Sequence, residues 1–180
     1  MHYTFLIASS RVGGNSEQLA RHAADQLPGK SQQWVVLRDY PLEPFEDLRH
    51  AEGTYPPPRG NARFLLDATL AADNLVLVAP VYWYSVPSPL KLYLDHWSAW
   101  MRVDGLDFKE QMSGKTMWLV SASAGPADEA QHMIASLQLS AKYLGMKWGG
   151  YVLGNGTQPG DVARDVKAFE VAANLFQPSP

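Results

Sequence analysis

The sequence predicts an α/β fold, a three-layer α/β/α sandwich with helices on both faces of a five-stranded, doubly wound parallel sheet. Three observations point there. Apolar runs of strand length alternate with segments of helical period along the whole chain. The run Asn74-Leu-Val-Leu-Val-Ala79 has no polar alternation, which suits a parallel strand buried on both faces. Polar, aromatic or small-residue stretches follow the first, third and fourth apolar runs, where an open α/β sheet collects ligands. At 180 residues the chain fits one domain, residues 1–180, able to bury roughly 70% of its unfolded surface.

In chain order, Tyr3-Thr-Phe-Leu-Ile-Ala8 reads as a strand and Glu17 to Leu27 as a helix closed by Pro28-Gly29. Gln33-Trp-Val-Val-Leu37 is a second short strand. Arg38 to Gly60 is proline-rich, carries five acids and reads as an excursion loop, with Glu43, Glu46 and Asp47 solvated. Asn61 can cap a helix to about Ala72, and the apolar strand Asn74 to Ala79 follows. A helix from Ser88-Pro89 to about Met101 has a good cap residue and proline in its first turn. Leu90, Leu94, Trp97 and Met101 form its stripe, and Tyr93 and Trp100 widen it enough to suggest contact with another subunit. Thr116 to Ser121 is the fourth strand, Asp128 to Leu144 a helix ended by Gly145, and Lys147 to Leu153 the fifth strand. Asp161 to Leu175 closes the chain as an amphipathic helix before a frayed Gln177-Pro-Ser-Pro180 tail.

Composition excludes several functions. A net charge of -3 lacks the basic excess of a phosphate-backbone binder, so no nucleic-acid partner is expected. With no cysteine there is no disulfide, thiolate nucleophile or cysteine-held iron–sulfur cluster. No apolar run is long enough to span a membrane, and the first residues lead straight into a core strand. A soluble cytoplasmic protein is expected.

Apparent motifs fail on mechanics. Gly114-Lys115-Thr116 looks like the end of a P-loop, but Lys109 stands where that motif needs glycine and a strand follows instead of a helix. Gly154-Asn-Gly-Thr-Gln-Pro-Gly160 has its third glycine one residue late for a dinucleotide fingerprint and follows the last strand; it reads as a turn near the ligand. There is no Gly-x-Ser-x-Gly elbow, and the histidines are scattered, without a metal-ligand pair.

Three loops carry the chemistry. In Ser9-Ser-Arg-Val-Gly-Gly-Asn-Ser16, Ser9, Ser10, Asn15 and Ser16 supply short polar groups, Arg11 supplies a fixed positive charge, and Gly13 and Gly14 let the backbone curl. A helix N-terminus behind such a loop favours a phosphate. Pro80, Val81, Tyr82, Trp83, Tyr84 and Ser85 place flat groups at the carboxyl end of the third strand. Ser121, Ala122, Ser123, Ala124 and Gly125 end the fourth strand with side chains small enough for close approach. A phosphate site, an aromatic wall and a small-residue wall together describe flavin mononucleotide (FMN).

The chain resembles the flavodoxin-like NAD(P)H-dependent FMN reductases and quinone reductases. Ala8 to Ser16 is similar to that family's Gly-Ser-x-Arg-x-x-Ser/Gly-Asn-Thr/Ser loop, with alanine for glycine at the first position. Pro80 to Asp95 is similar to its more specific Pro-x-Tyr-x-x-x-x-Pro-x-x-Leu-Lys-x-x-Leu-Asp stretch. The resemblance implies that Ser9, Arg11, Asn15 and Ser16 bind the FMN phosphate, that Pro80 to Ser85 line the isoalloxazine, and that Ser121 to Gly125 flank it. It also implies NADPH or NADH as hydride donor, a small-molecule electron acceptor, and no catalytic side chain beyond the flavin. The expected assembly is a homodimer, or a tetramer, with the ring near the interface. His96 departs from the arginine common at that position. The alternatives are a flavodoxin-type electron carrier, which would be more acidic and lack Arg11, and a flavin-free binding or regulatory protein on the same scaffold.

Overall fold

The computed structural model describes residues 1–51 and 53–177, so residues 178–180 of the expected frayed tail lie outside the described residues. Strands β1 (His2–Ile7), β2 (Ser31–Val36), β3 (Asn74–Val78), β4 (Thr116–Ser123) and β5 (Lys147–Asn155) form one parallel sheet in the order β2-β1-β3-β4-β5. The helices are α1 (Asn15–Ala24), α2 (Gly60–Ala71), α3 (Ser88–Trp100), α4 (Phe108–Met112), α5 (Gln131–Tyr143) and α6 (Val166–Asn174).

Strand alternation builds two cores. Tyr3, Phe5, Ile7, Val76, Val78, Val120 and Val152 face α1 and α6, where Leu19, Ala20, Ala23, Ala168 and Ala172 meet them. Leu6, Leu75, Leu77, Met117 and Leu119 point the other way, into α2, α3, α4 and α5. All five residues of β3 are buried, as its unbroken apolar run requires.

The structure adds one helix to the five expected. In α4, Phe108 and Met112 stand one turn apart and are buried, and the Phe108 ring packs edge-on to Trp100 at 5.5 Å. Five residues are too few to give a periodic signal. Two expected caps also serve otherwise. Ser88 makes no side-chain cap bond at the start of α3, and Asn61 Nδ2 donates to Pro41 O (2.9 Å), tying α2 to the excursion loop.

The wide apolar face of α3 is largely this chain's own core. Leu90, Tyr93, Trp97 and Trp100 are buried, whereas Leu94 and Met101 are half-buried. The Tyr93 hydroxyl bonds to Thr69 Oγ1 (2.6 Å), which also donates to Leu65 O (2.6 Å). Where the sheet ends at β5, Gly149 lets the backbone cross the Trp118 ring, since a Cβ there would approach Trp118 Cδ2 to 2.4 Å. The Trp118 Nε1–H donates to Asn74 Oδ1 (2.9 Å).

Burial pushes the Tyr93 phenol above its ordinary value of 10.0, against the opposing pull of its bond to Thr69. Below the unfolded value this group is neutral in both states. Above it the unfolded chain ionises first, so stability falls as pH rises toward the folded value. Tyr93→Phe is expected to cost about 1 kcal/mol at neutral pH. It is also expected to flatten the alkaline loss of stability, read as urea unfolding at about pH 7 and about pH 11.

Candidate ligand cleft at the strand switch point

The order of strands reverses between β1 and β3, and the connections leaving these two neighbours run to opposite faces of the sheet. Their carboxyl ends therefore diverge around a cleft of about 130 Å³ lined by residues from the loops after β1, β3, β4 and β5.

The β1 loop shapes one end of the cleft. Gly13 adopts φ 62°, the left-handed conformation that glycine takes without a Cβ penalty. Gly14 holds the N-cap position of α1, and no side chain caps the helix. The first-turn N–H groups have no intrahelical partner, and the ladder begins at Gln18 N–H to Gly14 O (3.0 Å). Ser16 is 2% exposed, lines the cleft, and has an Oγ without a partner. A buried unpaired hydroxyl beside an uncapped helix start is costly unless a ligand satisfies it, and a phosphate would. Arg11 lines the same cleft and enters no ion pair among the described residues. The nearby carboxylate of Glu17 is occupied: Oε2 accepts the Gly13 N–H (3.0 Å) and Oε1 pairs with Arg21 (3.0 Å). Ser9 Oγ donates to Arg11 O (2.9 Å) and braces the curl.

The aromatic wall is a tight turn. Tyr82 and Ser85 exchange both backbone bonds, Tyr82 N–H to Ser85 O (2.9 Å) and Ser85 N–H to Tyr82 O (3.0 Å). Between them Trp83 and Tyr84 take φ 49° and 61°. Two consecutive left-handed residues are the signature of a turn that usually carries Asn-Gly, and each costs roughly 1–2 kcal/mol for an ordinary side chain. Such strain persists only where surrounding structure fixes it, and it clusters at functional sites. Val81 N–H to Ala122 O (3.1 Å) anchors the turn to the end of β4. Trp83 is 93% exposed, with Tyr82 and Tyr84 partly so. The hydroxyls of Ser10 and Tyr82 meet at 3.4 Å, joining the β1 loop to the aromatic turn.

Of the residues expected from sequence, Ser9, Arg11, Asn15, Ser16, Pro80, Val81, Tyr82 and Ala122 line this cleft together. Trp83, Tyr84 and Ser85 form the turn at its rim. Ser121 is buried behind it with an unpaired Oγ. Ser123 and Gly125 instead line a neighbouring cavity of about 430 Å³ between β5 and the starts of α5 and α6. Gly14, Ala124, Gly156, Thr157 and Pro159 complete the cleft. The last three belong to the glycine-rich turn after β5; its position was legible, its role was not. No helix among the described residues is long and apolar enough to cross a membrane.

Fold and cleft together define a doubly wound α/β domain with a switch-point crevice that has an arginine and an uncapped helix start at one end and an aromatic turn at the other. A model of the flavodoxin-like fold family matches residues 1–175. The chain is 33% identical over 181 aligned positions, 99% of this chain and 98% of the relative, to YwqN of Bacillus subtilis (strain 168), whose name describes an NAD(P)H-dependent FMN-containing oxidoreductase. Among solved structures, the Trp repressor binding protein from Bacillus subtilis superposes with a TM-score of 0.80 at 27% identity, covering 99% of both chains. An FMN-dependent NADH-azoreductase from Bacillus anthracis, solved with FMN, shares the fold at a TM-score of 0.69 and 16% identity, over 97% of this chain and 99% of that one. The chain belongs to the flavodoxin-like fold family.

Tyr84→Gly is expected to raise stability by about 1 kcal/mol, read from the urea unfolding midpoint, because the strain at that position is released. An unchanged or lowered midpoint would show that the ring's packing outweighs the strain.

Proposed function

We infer that this protein is an FMN-dependent NAD(P)H oxidoreductase that passes electrons to a small-molecule acceptor. The observation that carries the reading is the buried, unpartnered Ser16 Oγ at the uncapped start of α1, in one cleft with Arg11 and the aromatic turn. Family membership and the name of the Bacillus subtilis relative support it.

Ser9, Arg11, Ser16 and the first-turn N–H groups of α1 would hold the phosphate, with Arg11 neutralising a charge that the helix start alone leaves only partly compensated. Pro80 to Ser85 would line the isoalloxazine, and Ala122 and Ala124, the residues at the end of β4 that share the cleft, would flank it. FMN held there would supply the hydride and electron transfer chemistry between a reduced nicotinamide and the acceptor. The chain's share is to bind, orient and shield. The turn from Tyr82 to Ser85 keeps its backbone fixed, and the exposed Trp83 and Tyr84 rings offer flat surface for a planar acceptor or nicotinamide. Quinones, free flavins, nitro or azo compounds and ferric chelates all suit such an open rim. The cysteine-free composition accords with a cytoplasmic enzyme.

A homodimer, or a tetramer of such dimers, would cover the apolar groove between α3 and α5, where half-buried Leu94 and Met101 meet exposed Leu139 and Tyr143 around a volume of about 770 Å³. Light scattering at micromolar concentration is expected to give twice or four times the chain mass. A monomer would remove this assembly.

Purified with saturating FMN under anaerobic conditions, the protein is expected to lose flavin absorbance on addition of NADPH or NADH. Flavin that stays oxidised with both donors would end the reductase reading. Arg11→Ala is expected to weaken FMN binding about tenfold or more while leaving riboflavin binding nearly unchanged, measured by flavin fluorescence quenching.

A further inference from the structure

The loop after β5, residues 156–160, lies against the Arg11 and Ser16 end of the cleft and is fastened there by the side chains of Asn15 and Asp161. Asn15 Nδ2 donates to Gln158 O (3.0 Å), and Asn15 Oδ1 accepts the Gly160 N–H (2.9 Å). Both the nitrogen and the oxygen of the Asn15 amide are therefore bonded to the loop. Asp161 Oδ2 accepts the N–H groups of Thr157 (3.2 Å) and Gln158 (2.7 Å), and Gly156 N–H reaches Ser123 O (3.0 Å). The approach is close: a Cβ at Gly156 would come within 2.8 Å of Asn15 Nδ2 and 3.0 Å of Val162 N. As a result Gly156, Thr157 and Pro159 share the cleft with Ser9, Arg11 and Ser16. Since the Thr157 N–H is tied to Asp161, the hydroxyl is the polar group Thr157 can offer.

Resting on the FMN reading above, we propose that this loop is a stop at the phosphate end of the site. Thr157 hydrogen-bonds the terminal phosphate monoester, and Asn15 is a positioning residue that holds the stop in place. The site thereby takes a flavin mononucleotide and turns away a flavin dinucleotide, whose adenylyl extension would have to pass through the loop. A dianionic monoester ends where the loop begins. A phosphodiester carries one charge fewer and a further nucleotide, so it loses both the hydrogen bond and the space.

The test titrates the full chain, freed of flavin, with FMN, riboflavin and FAD by fluorescence quenching, for the wild type, Thr157→Val and Asn15→Ala. Wild type is expected to bind FMN at least about tenfold more tightly than either other flavin. Thr157→Val should lower FMN affinity about tenfold with riboflavin affinity unchanged. Asn15→Ala should narrow the FMN-to-FAD ratio by a similar factor, with far-ultraviolet dichroism and thermal unfolding confirming the fold. If Asn15→Ala does not fold, Thr157→Val decides alone. Wild-type binding of FMN with ratios unmoved by the variants, or FAD bound as tightly as FMN, overturns the stop and leaves the FMN reading intact. No binding of any flavin overturns both.

Discussion

Everything at the functional end of this molecule depends on the adjacency of β1 and β3. Their following helices depart to opposite faces of the sheet, so no connection crosses the gap between their carboxyl ends. The crevice is a consequence of winding, present before any side chain is chosen. What the sequence adds is its lining: an uncapped helix start and an arginine on one side, Tyr82 on the other with Trp83 and Tyr84 at the rim, and the small residues Ala122 and Ala124 at the end of β4.

That lining leaves polar groups deliberately short of partners. A folded chain usually spends serine or asparagine at a helix start on capping it. Here Gly14 takes the cap position, Asn15 is committed to the β5 loop, and Ser16 is buried with nothing to bond. The domain tolerates this because its stability comes from elsewhere, in the two apolar layers that sandwich the sheet and in buried polar pairs such as Tyr93 with Thr69.

Much of this was legible in sequence, for identifiable reasons. β3 announced itself because burial on both faces forbids polar alternation, and the β1 loop because two glycines and short polar residues before a helix have few other uses. The role of α3 was less legible: six large apolar residues suggested a second subunit, but Tyr93 and Trp100 fill the chain's own core against α4, an element too short to leave a periodic trace. The turn at Trp83 and Tyr84 was hidden for a different reason. Left-handed backbone is inferred from glycine or asparagine, and neither is present. The glycine spacing after β5 fitted no dinucleotide fingerprint, so the sequence placed a turn near the ligand, and the bonds by which Asn15 fastens it came only with the structure.

The aromatic turn bears on how this protein can change over evolutionary time. A turn retained for backbone shape alone would drift toward Asn-Gly, which gives the same path without strain. Here tryptophan and tyrosine stand in it at an energetic penalty, and the backbone is held by the bonds of Val81, Tyr82 and Ser85. Because the bonds that close the turn are made by backbone atoms of Tyr82 and Ser85, positions 83 and 84 can exchange one planar side chain for another without removing them.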